Sequence, residues 1–202
     1  SCDLNLILDE FNPKKTLCII ANVRSEINIE ETLSWAKKNN IPILAECTNT
    51  IRYRSQDVLS NVDEVIQYII NNNLLPDTLI CIGSRWISKE IHKLILAVNK
   101  GILLHDFDST QNWLQSNLHE FLNFDLKSKN VLPEIKTNLD YFKQVNAINL
   151  KKPKINFKHL TLPRCFELLT DKLDQYHTLF IGNSLAVREF NEAFHLKNNR
   201  LN

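Results

Sequence analysis

A serine and an arginine near the end of the chain stand at a spacing that could bind an acidic ligand. Ser184 and Arg188 are four residues apart, and Gly182 and Asn183 come directly before them. Positions i and i+4 share one face of a helix, so a hydroxyl and a guanidinium would lie side by side. Together they could bind a carboxylate. The plainer interpretation is that Ser184 only caps the helix and that Arg188 is a solvated side chain.

Other side chains that could do chemistry follow apolar runs elsewhere in the chain. Ser88 could cap a helix and leave the helix amides, together with Lys89, facing a carboxylate or a phosphate. The alternative is a capped helix with a solvated lysine. Asp106 and Asp108 could coordinate a cation or contact a ribose, although acidic residues are common at strand ends. Glu46 could act as a general acid or base, but the sequence identifies no partner for it.

Several motifs that would settle a function are absent from the sequence. Ala21-Asn22-Val23-Arg24 stands where a G-x-G-x-x-G fingerprint would follow the first strand, which disfavours NAD or FAD binding. There is no phosphate-binding loop and no nucleophile elbow. The five cysteines are widely spaced and include no C-x-x-C, which predicts a reducing compartment, hence the cytoplasm, and no structural zinc. We therefore name no catalytic residue and no metal ligand.

The elements that would position these side chains alternate in the order β-α-β-α-β-α-β. Short, continuous apolar runs predict buried strands, and apolar stripes at helical spacing predict helices between them. This pattern favours an α/β fold with a Rossmann-like parallel sheet and helices on both faces. Strands are predicted over residues 16–21, 41–45, 78–83 and 101–105, and helices over residues 28–39, 62–71 and 88–98.

The second part of the chain has a different pattern. Helices are predicted over residues 111–118 and 133–149, and the basic, proline-containing run 151–154 predicts a solvated linker rather than a nucleic-acid contact. We therefore divide the chain into a Rossmann-like domain, residues 1–150, and a unit of residues 151–202. In that unit we predict a helix over 162–173, a strand over 178–182 and a helix over 184–194. The strand is expected to pack on the first domain, to pair with another molecule or to be poorly ordered.

Composition excludes several classes of partner. The chain has 202 residues, of which 24 are basic and 23 acidic, and this balance predicts neither nucleic-acid nor membrane binding. Its apolar runs are too short to span a bilayer, and no signal peptide is visible. The chain contains no methionine, and a site-bearing strand and helix stand close to its end. We therefore expect a fragment of a longer protein.

Three segments together resemble one enzyme family. Residues 41–46 (IPILAE) with residues 50–52 (TIR) are similar to a strand and loop of the pattern P-[IL]-L-A-D-x-L-S-x-L-R. Residues 83–89 (GSRWISK) are similar to a turn of the pattern G-x-x-P-x-S-K, and residues 182–188 (GNSLAVR) to the pattern G-N-S-x-x-[VI]-R. The family is 2-succinyl-5-enolpyruvyl-6-hydroxy-3-cyclohexene-1-carboxylate synthase, the thiamine-diphosphate enzyme of menaquinone biosynthesis. The likeness spans about residues 16 to 195.

The resemblance implies a central Rossmann-like domain followed by the start of a diphosphate-binding domain. The intact enzyme of this family uses thiamine diphosphate and Mg²⁺ to decarboxylate 2-oxoglutarate and adds the product to isochorismate. The resemblance implies that the enzyme is a homo-oligomer. It also implies substrate-binding roles for Ser184, Arg188, Lys89 and Arg52. It implies further that Gly182 and Asn183 lie beside the cofactor.

The chain also departs from the family pattern. Glu90 follows Lys89 where many members have arginine, and Trp86 replaces the proline of the turn. The G-D-G motif that binds Mg²⁺ and diphosphate is missing, as is the pyrimidine-binding domain with its activating glutamate. We therefore expect neither synthase activity nor tight thiamine-diphosphate binding from this chain alone.

Two other functions stay open. One is an FAD- or nucleotide-holding central domain of another thiamine-diphosphate enzyme, such as an acetolactate-synthase relative. The other is a non-catalytic α/β binding module. The gene sequence on either side of this chain would separate them, because a G-D-G motif downstream would favour the enzymes.

Overall fold

The computed structural model describes an α/β sheet with its helices and two further helices from the end of the chain. The described residues are 14–22, 28–55, 57–83, 86–98, 100–105, 120–125, 135, 137–148, 161–170, 180–182 and 185–193. Outside them lie several features predicted from the sequence, namely Asp106, Asp108, Asn183, Ser184, the helix 111–118 and the linker 151–154.

Within the described residues the sheet has six strands, and every neighbouring pair is parallel. The spatial order is β3-β2-β1-β4-β5-β6. This is the order of a doubly wound α/β sheet, so the predicted Rossmann-like fold is confirmed. The strands are β1 (Thr16–Ile20), β2 (Ile43–Ala45), β3 (Val58–Leu59), β4 (Thr78–Ile82), β5 (Lys100–His105) and β6 (Glu120–Asp125).

Helices connect or follow these strands. They are α1 (Ile29–Lys38), α2 (Val62–Asn71), α3 (Lys89–Ala97), α4 (Leu139–Asn146), α5 (Leu162–Thr170) and α6 (Leu185–Ala193), with a 3₁₀ helix over Thr50–Tyr53. None of the helices in the described part of the chain is long and apolar enough to cross a membrane.

Alternate residues of the strands enter two separate hydrophobic clusters. Cys18 of β1 packs in a cluster with Trp35 of α1, whereas Leu17 packs in a cluster with Ile66 of α2 and Ile91 of α3. The sheet is therefore covered on both faces, which is why β1 and β4 are apolar at every position after the first rather than at every second one.

The strand order reverses between β1 and β4. The chain runs outward from β1 to β3 and then returns to place β4 on the other side of β1, with Cys18 opposite Ile80. Ligands of such sheets bind in the crevice beyond the carboxyl ends of the two strands at this point. Gly83 directly follows β4 there and has a φ of 90°, a left-handed conformation that favours glycine. The topology thus places any ligand site at the carboxyl end of the sheet.

The structure differs from the sequence-based predictions in several elements. The 3₁₀ helix and the short strand β3 lie between the predicted strand 41–45 and the predicted helix 62–71, and β6 lies between the predicted helices 111–118 and 133–149. No element was predicted at these places. Helix α4 is shorter than the predicted 133–149, because Asn138 caps it by accepting a hydrogen bond from the Asp140 amide at 2.8 Å.

The strand predicted over residues 178–182 is wrong for the three of those residues that the structure describes. Residues 180–182 form neither strand nor helix, and the described sheet includes no strand from this region. Phe180 is 91% exposed, whereas Ile181 packs against Phe166 and Phe190. Ile181 is therefore buried partly by α5 and α6 instead of by a sheet. The helix predicted after it is confirmed as α6.

A side-chain cap at the start of α1 makes a testable prediction. The Asn28 side chain accepts a hydrogen bond from the Glu31 amide at 3.1 Å. Because Asn28→Ala leaves that amide without its acceptor, we expect a loss of about 1 kcal/mol in the free energy of unfolding, measured by urea denaturation. Ser34→Ala, at an exposed position of the same helix, is the control, and an equal loss in both variants would contradict the prediction.

Candidate functional site

Three segments from different parts of the chain meet at the carboxyl end of the sheet. The first is the loop after β2 together with the 3₁₀ helix, the second is the turn before α3, and the third is helix α6. Two buried charged side chains of the first segment, Glu46 and Arg52, make the contacts that join it to the other two. We call this region the three-segment junction.

Glu46 joins β2 to the turn before α3. Its side chain is fully buried, and Oε1 accepts hydrogen bonds from the amides of Ile87 and Ser88, both at 2.8 Å. Oε2 also accepts from the Ile87 amide, at 3.0 Å. The amino end of a helix attracts anions because its amides lack partners and its dipole is positive there. The carboxylate expected beside Ser88 is therefore supplied by the chain itself.

Ser88 connects the amino ends of α2 and α3. Its hydroxyl oxygen accepts a hydrogen bond from the Glu90 amide at 3.1 Å, so the predicted cap of α3 is confirmed. The same hydroxyl donates a short hydrogen bond to Oδ1 of Asp63, in the first turn of α2. The turn that presents Lys89 is thus fixed from two sides, by Glu46 and by Asp63.

Burial sets the acidity of Glu46. Loss of solvent raises its pKa from 4.5 to about 7. The amides of Ser88 and Ile87 and the positive charge of Arg52 act in the opposite direction, and Asp63 raises the pKa further. The carboxyl group is therefore divided between its charged and neutral forms near neutral pH, as a general acid or base requires.

Arg52 joins the 3₁₀ helix to α6. Its side chain is 5% exposed. Nη1 donates to Oδ1 of Asn191 at 2.8 Å, and Nη2 donates to the Asn191 backbone oxygen at 2.6 Å. The Cys47 amide also donates to Asn191 Oδ1, at 2.8 Å. The Tyr53 ring lies under the guanidinium, with 5.9 Å between its centroid and Cζ of Arg52. Two residues of the first segment, Arg52 and Cys47, therefore bind Asn191.

Apolar contacts strengthen the same connection. Phe166 of α5 and Phe190 of α6 pack edge to face, with ring centroids 5.2 Å apart, and Cys47 and Tyr53 of the loop after β2 pack against them. The Tyr53 hydroxyl donates to the Cys47 carbonyl at 3.3 Å. Burial raises the pKa of Tyr53 to about 12. The two last helices thus form a packed unit with the loop that carries Glu46 and Arg52.

The predicted site residues take different positions at this junction. Lys89 is exposed in the first turn of α3, and Arg188 is exposed on α6, three residues before Asn191. Arg52 is buried in the chain's own contacts. Gly182 is exposed, and a Cβ added to it would meet no atom within 4 Å. Ser184 and Asn183 lie outside the described residues.

Two residues of the junction were not identified from the sequence. Asn191 is a polar residue of an amphipathic helix, where solvent exposure is expected, yet it is 1% exposed. Asp63 lies in the first turn of a helix, where an acidic residue is usually explained by the helix dipole. Neither pattern contains a signal that would have separated these residues from ordinary surface positions.

Within the described ranges, no three side chains of His, Cys, Asp or Glu come together to hold a metal ion. In comparisons with known proteins, no family model matches the chain and no curated protein matches it.

Proposed function

We propose that this chain is the central domain and the start of the diphosphate-binding domain of a 2-succinyl-5-enolpyruvyl-6-hydroxy-3-cyclohexene-1-carboxylate synthase. The intact enzyme would decarboxylate 2-oxoglutarate and add the product to isochorismate. We propose further that it works in the cytoplasm as a homo-oligomer.

The observation that supports this proposal is the convergence of the three segments that carry the family resemblance. Glu46 of the first segment binds the amides of Ile87 and Ser88 in the second. Arg52 of the first segment binds Asn191, on the helix that continues the third. Segments that serve one substrate must lie together in the fold, and these lie at the end of the sheet where ligands bind.

The exposed cations of the junction suit the proposed substrates. Both substrates carry several carboxylates, which lysine and arginine bind through charge-assisted hydrogen bonds. Lys89 is exposed in the first turn of α3. Arg188 is exposed on α6 and could bind a second carboxylate. The role proposed for this chain is therefore to bind and orient acidic substrates.

We further propose that this chain does not hold the cofactor by itself, because the sequence has no G-D-G motif for Mg²⁺ and diphosphate. The proposal therefore places thiamine diphosphate and Mg²⁺ on other segments of the intact enzyme. Gly182 and Asn183 would at most border the cofactor, so we assign no step of its chemistry to this chain.

The strand order would also suit a nucleotide-binding domain, which is the main alternative. In such a domain, a pyrophosphate group binds the free amides at a helix amino end beside the crevice. Here the amides of Ile87 and Ser88 already bind Glu46. The N-terminus of α3 is therefore closed to a phosphate unless Glu46 moves away, which argues against a nucleotide bound at this helix.

The test is an assay of the full-length gene product with thiamine diphosphate, Mg²⁺, 2-oxoglutarate and isochorismate. We expect release of CO₂ and formation of the adduct. In parallel, this chain is titrated with FAD and ADP, and we expect no saturable binding. Absence of the adduct would contradict the proposal, and saturable FAD binding would favour the alternative.

Removal of the Arg188 charge tests the proposed role of α6. In the full-length gene product we expect Arg188→Met to lower kcat/KM about tenfold, mainly through KM, because a charge-assisted contact to a substrate carboxylate is lost. Lys143→Met is the control, since Lys143 is exposed on α4, whose amino end contacts the amino end of the sheet at Lys14. Unchanged kinetics in the Arg188 variant would contradict this role.

A further inference from the structure

Arg52 is the cation of the junction whose surroundings differ most from those of a ligand contact. Lys89 and Arg188 are exposed, whereas Arg52 is 5% exposed and lies against the Tyr53 ring. Both of its terminal nitrogens donate to the same residue, Asn191. A substrate carboxylate could reach this guanidinium only after the contacts with α6 had opened.

We propose that Arg52 is a positioning residue, which fixes α6 through Asn191 and thereby places Arg188 for the substrate, instead of binding the substrate itself. This inference rests on the proposed function, and it replaces the direct substrate contact that the family resemblance implies for Arg52.

The geometry of α6 explains how a change at Arg52 would alter the position of Arg188. Asn191 follows Arg188 by three residues, so the two lie on neighbouring turns of one side of the helix. Arg52 binds both the side chain and the backbone of Asn191, and Cys47 binds the side chain as well. A helix held by its backbone cannot slide or rotate freely, and Arg188 is then restricted to one side of the junction.

The positive charge of Arg52 also acts on Glu46. Glu46 lies close enough to Arg52 for the guanidinium to lower the pKa of the carboxyl group. Glu46 in turn binds the turn that precedes Lys89. Arg52 therefore belongs to the buried contacts that hold the segments of Lys89 and Arg188. It does not belong to the surface that a substrate would meet.

The first test compares single and double variants of the full-length gene product. If Arg52 acts through Arg188, each of Arg52→Met and Arg188→Met should raise KM about tenfold, and the double variant should be no worse than Arg188→Met alone. If Arg52 binds substrate by itself, the two losses should multiply to about a hundredfold. A multiplied loss would overturn the inference.

The second test needs no activity and uses this chain as it stands. Hydrogen exchange of the amides of residues 185–193 is measured in the unchanged chain, in Arg52→Met and in Arg54→Met, whose side chain is exposed two residues away. We expect exchange to rise about tenfold or more in Arg52→Met and to stay unchanged in Arg54→Met. Asn191→Asp, which keeps an oxygen acceptor for Arg52 and for the Cys47 amide, should preserve slow exchange.

The two tests separate the possible failures. Unchanged exchange in Arg52→Met would overturn the positioning role whatever the enzyme does. Faster exchange in α6 together with no synthase activity in the unaltered full-length protein would contradict the proposed function instead.

Discussion

Arg52→Met is expected to lower the free energy of unfolding of this chain by about 3 kcal/mol, because it removes the buried, charged donor of two hydrogen bonds to Asn191. The Asn191 backbone oxygen loses a charged donor, and Glu46 loses the neighbouring positive charge that favours its ionised form. Urea denaturation followed by circular dichroism measures the change.

The control variants separate charge, geometry and position. Arg52→Lys keeps the charge but cannot reach two acceptors with a planar fork, so it should recover only part of the loss. Arg54→Met, at an exposed neighbouring position, should change stability by less than about 0.5 kcal/mol. An Arg52→Met variant as stable as Arg54→Met would show that the contact with α6 contributes nothing to folding.

The second large effect is a loss of stability as pH rises, caused by Glu46. The folded state raises its pKa from 4.5 to about 7, so between these values the folded state binds a proton that the unfolded state has released. Stability is therefore greatest at the acidic end of this window, falls as pH rises through it and levels off above pH 7. The shift corresponds to roughly 2–3 kcal/mol between pH 5 and pH 8.

Glu46→Gln isolates this contribution from that of other titrating groups. The amide side chain keeps an oxygen acceptor for Ile87 and Ser88 but does not titrate, so the stability difference between the unaltered chain and the variant should change by roughly 2–3 kcal/mol over the same range. Glu30→Gln, an exposed carboxylate in the first turn of α1, should leave the pH dependence unaltered. Parallel stability curves for the unaltered chain and Glu46→Gln would contradict the assignment.

The central fold could be predicted from sequence because its signals are local. The strands β1 and β4 are continuous apolar runs buried on both faces, and the caps Asn28 and Ser88 precede amphipathic helices. In contrast, β3 has two residues and carries no periodic pattern. The segment of β6 has neither a long apolar run nor a strict alternation of polar and apolar residues, so it carries no clear strand signal.

The junction itself could not be predicted, because its contacts join distant residues. Arg52 and Asn191 are 139 positions apart, and Glu46 lies 41 positions before Ile87. Sequence spacing indicated a helix cap at Ser88 but not which carboxylate would bind the amides there. The family resemblance marked Arg52 as functional, whereas its burial against α6 is visible only in the fold.

The most direct test of the account is the KM for the acidic substrates in the full-length gene product and in its Lys89→Met variant. Lys89 stands at the amino end of α3, immediately after the turn that Glu46 fixes, and we propose that it binds a substrate carboxylate. We expect the unaltered protein to form the adduct of 2-oxoglutarate and isochorismate, and we expect Lys89→Met to raise KM about tenfold while Lys143→Met does not. No adduct, or equal KM values in the two variants, would contradict it.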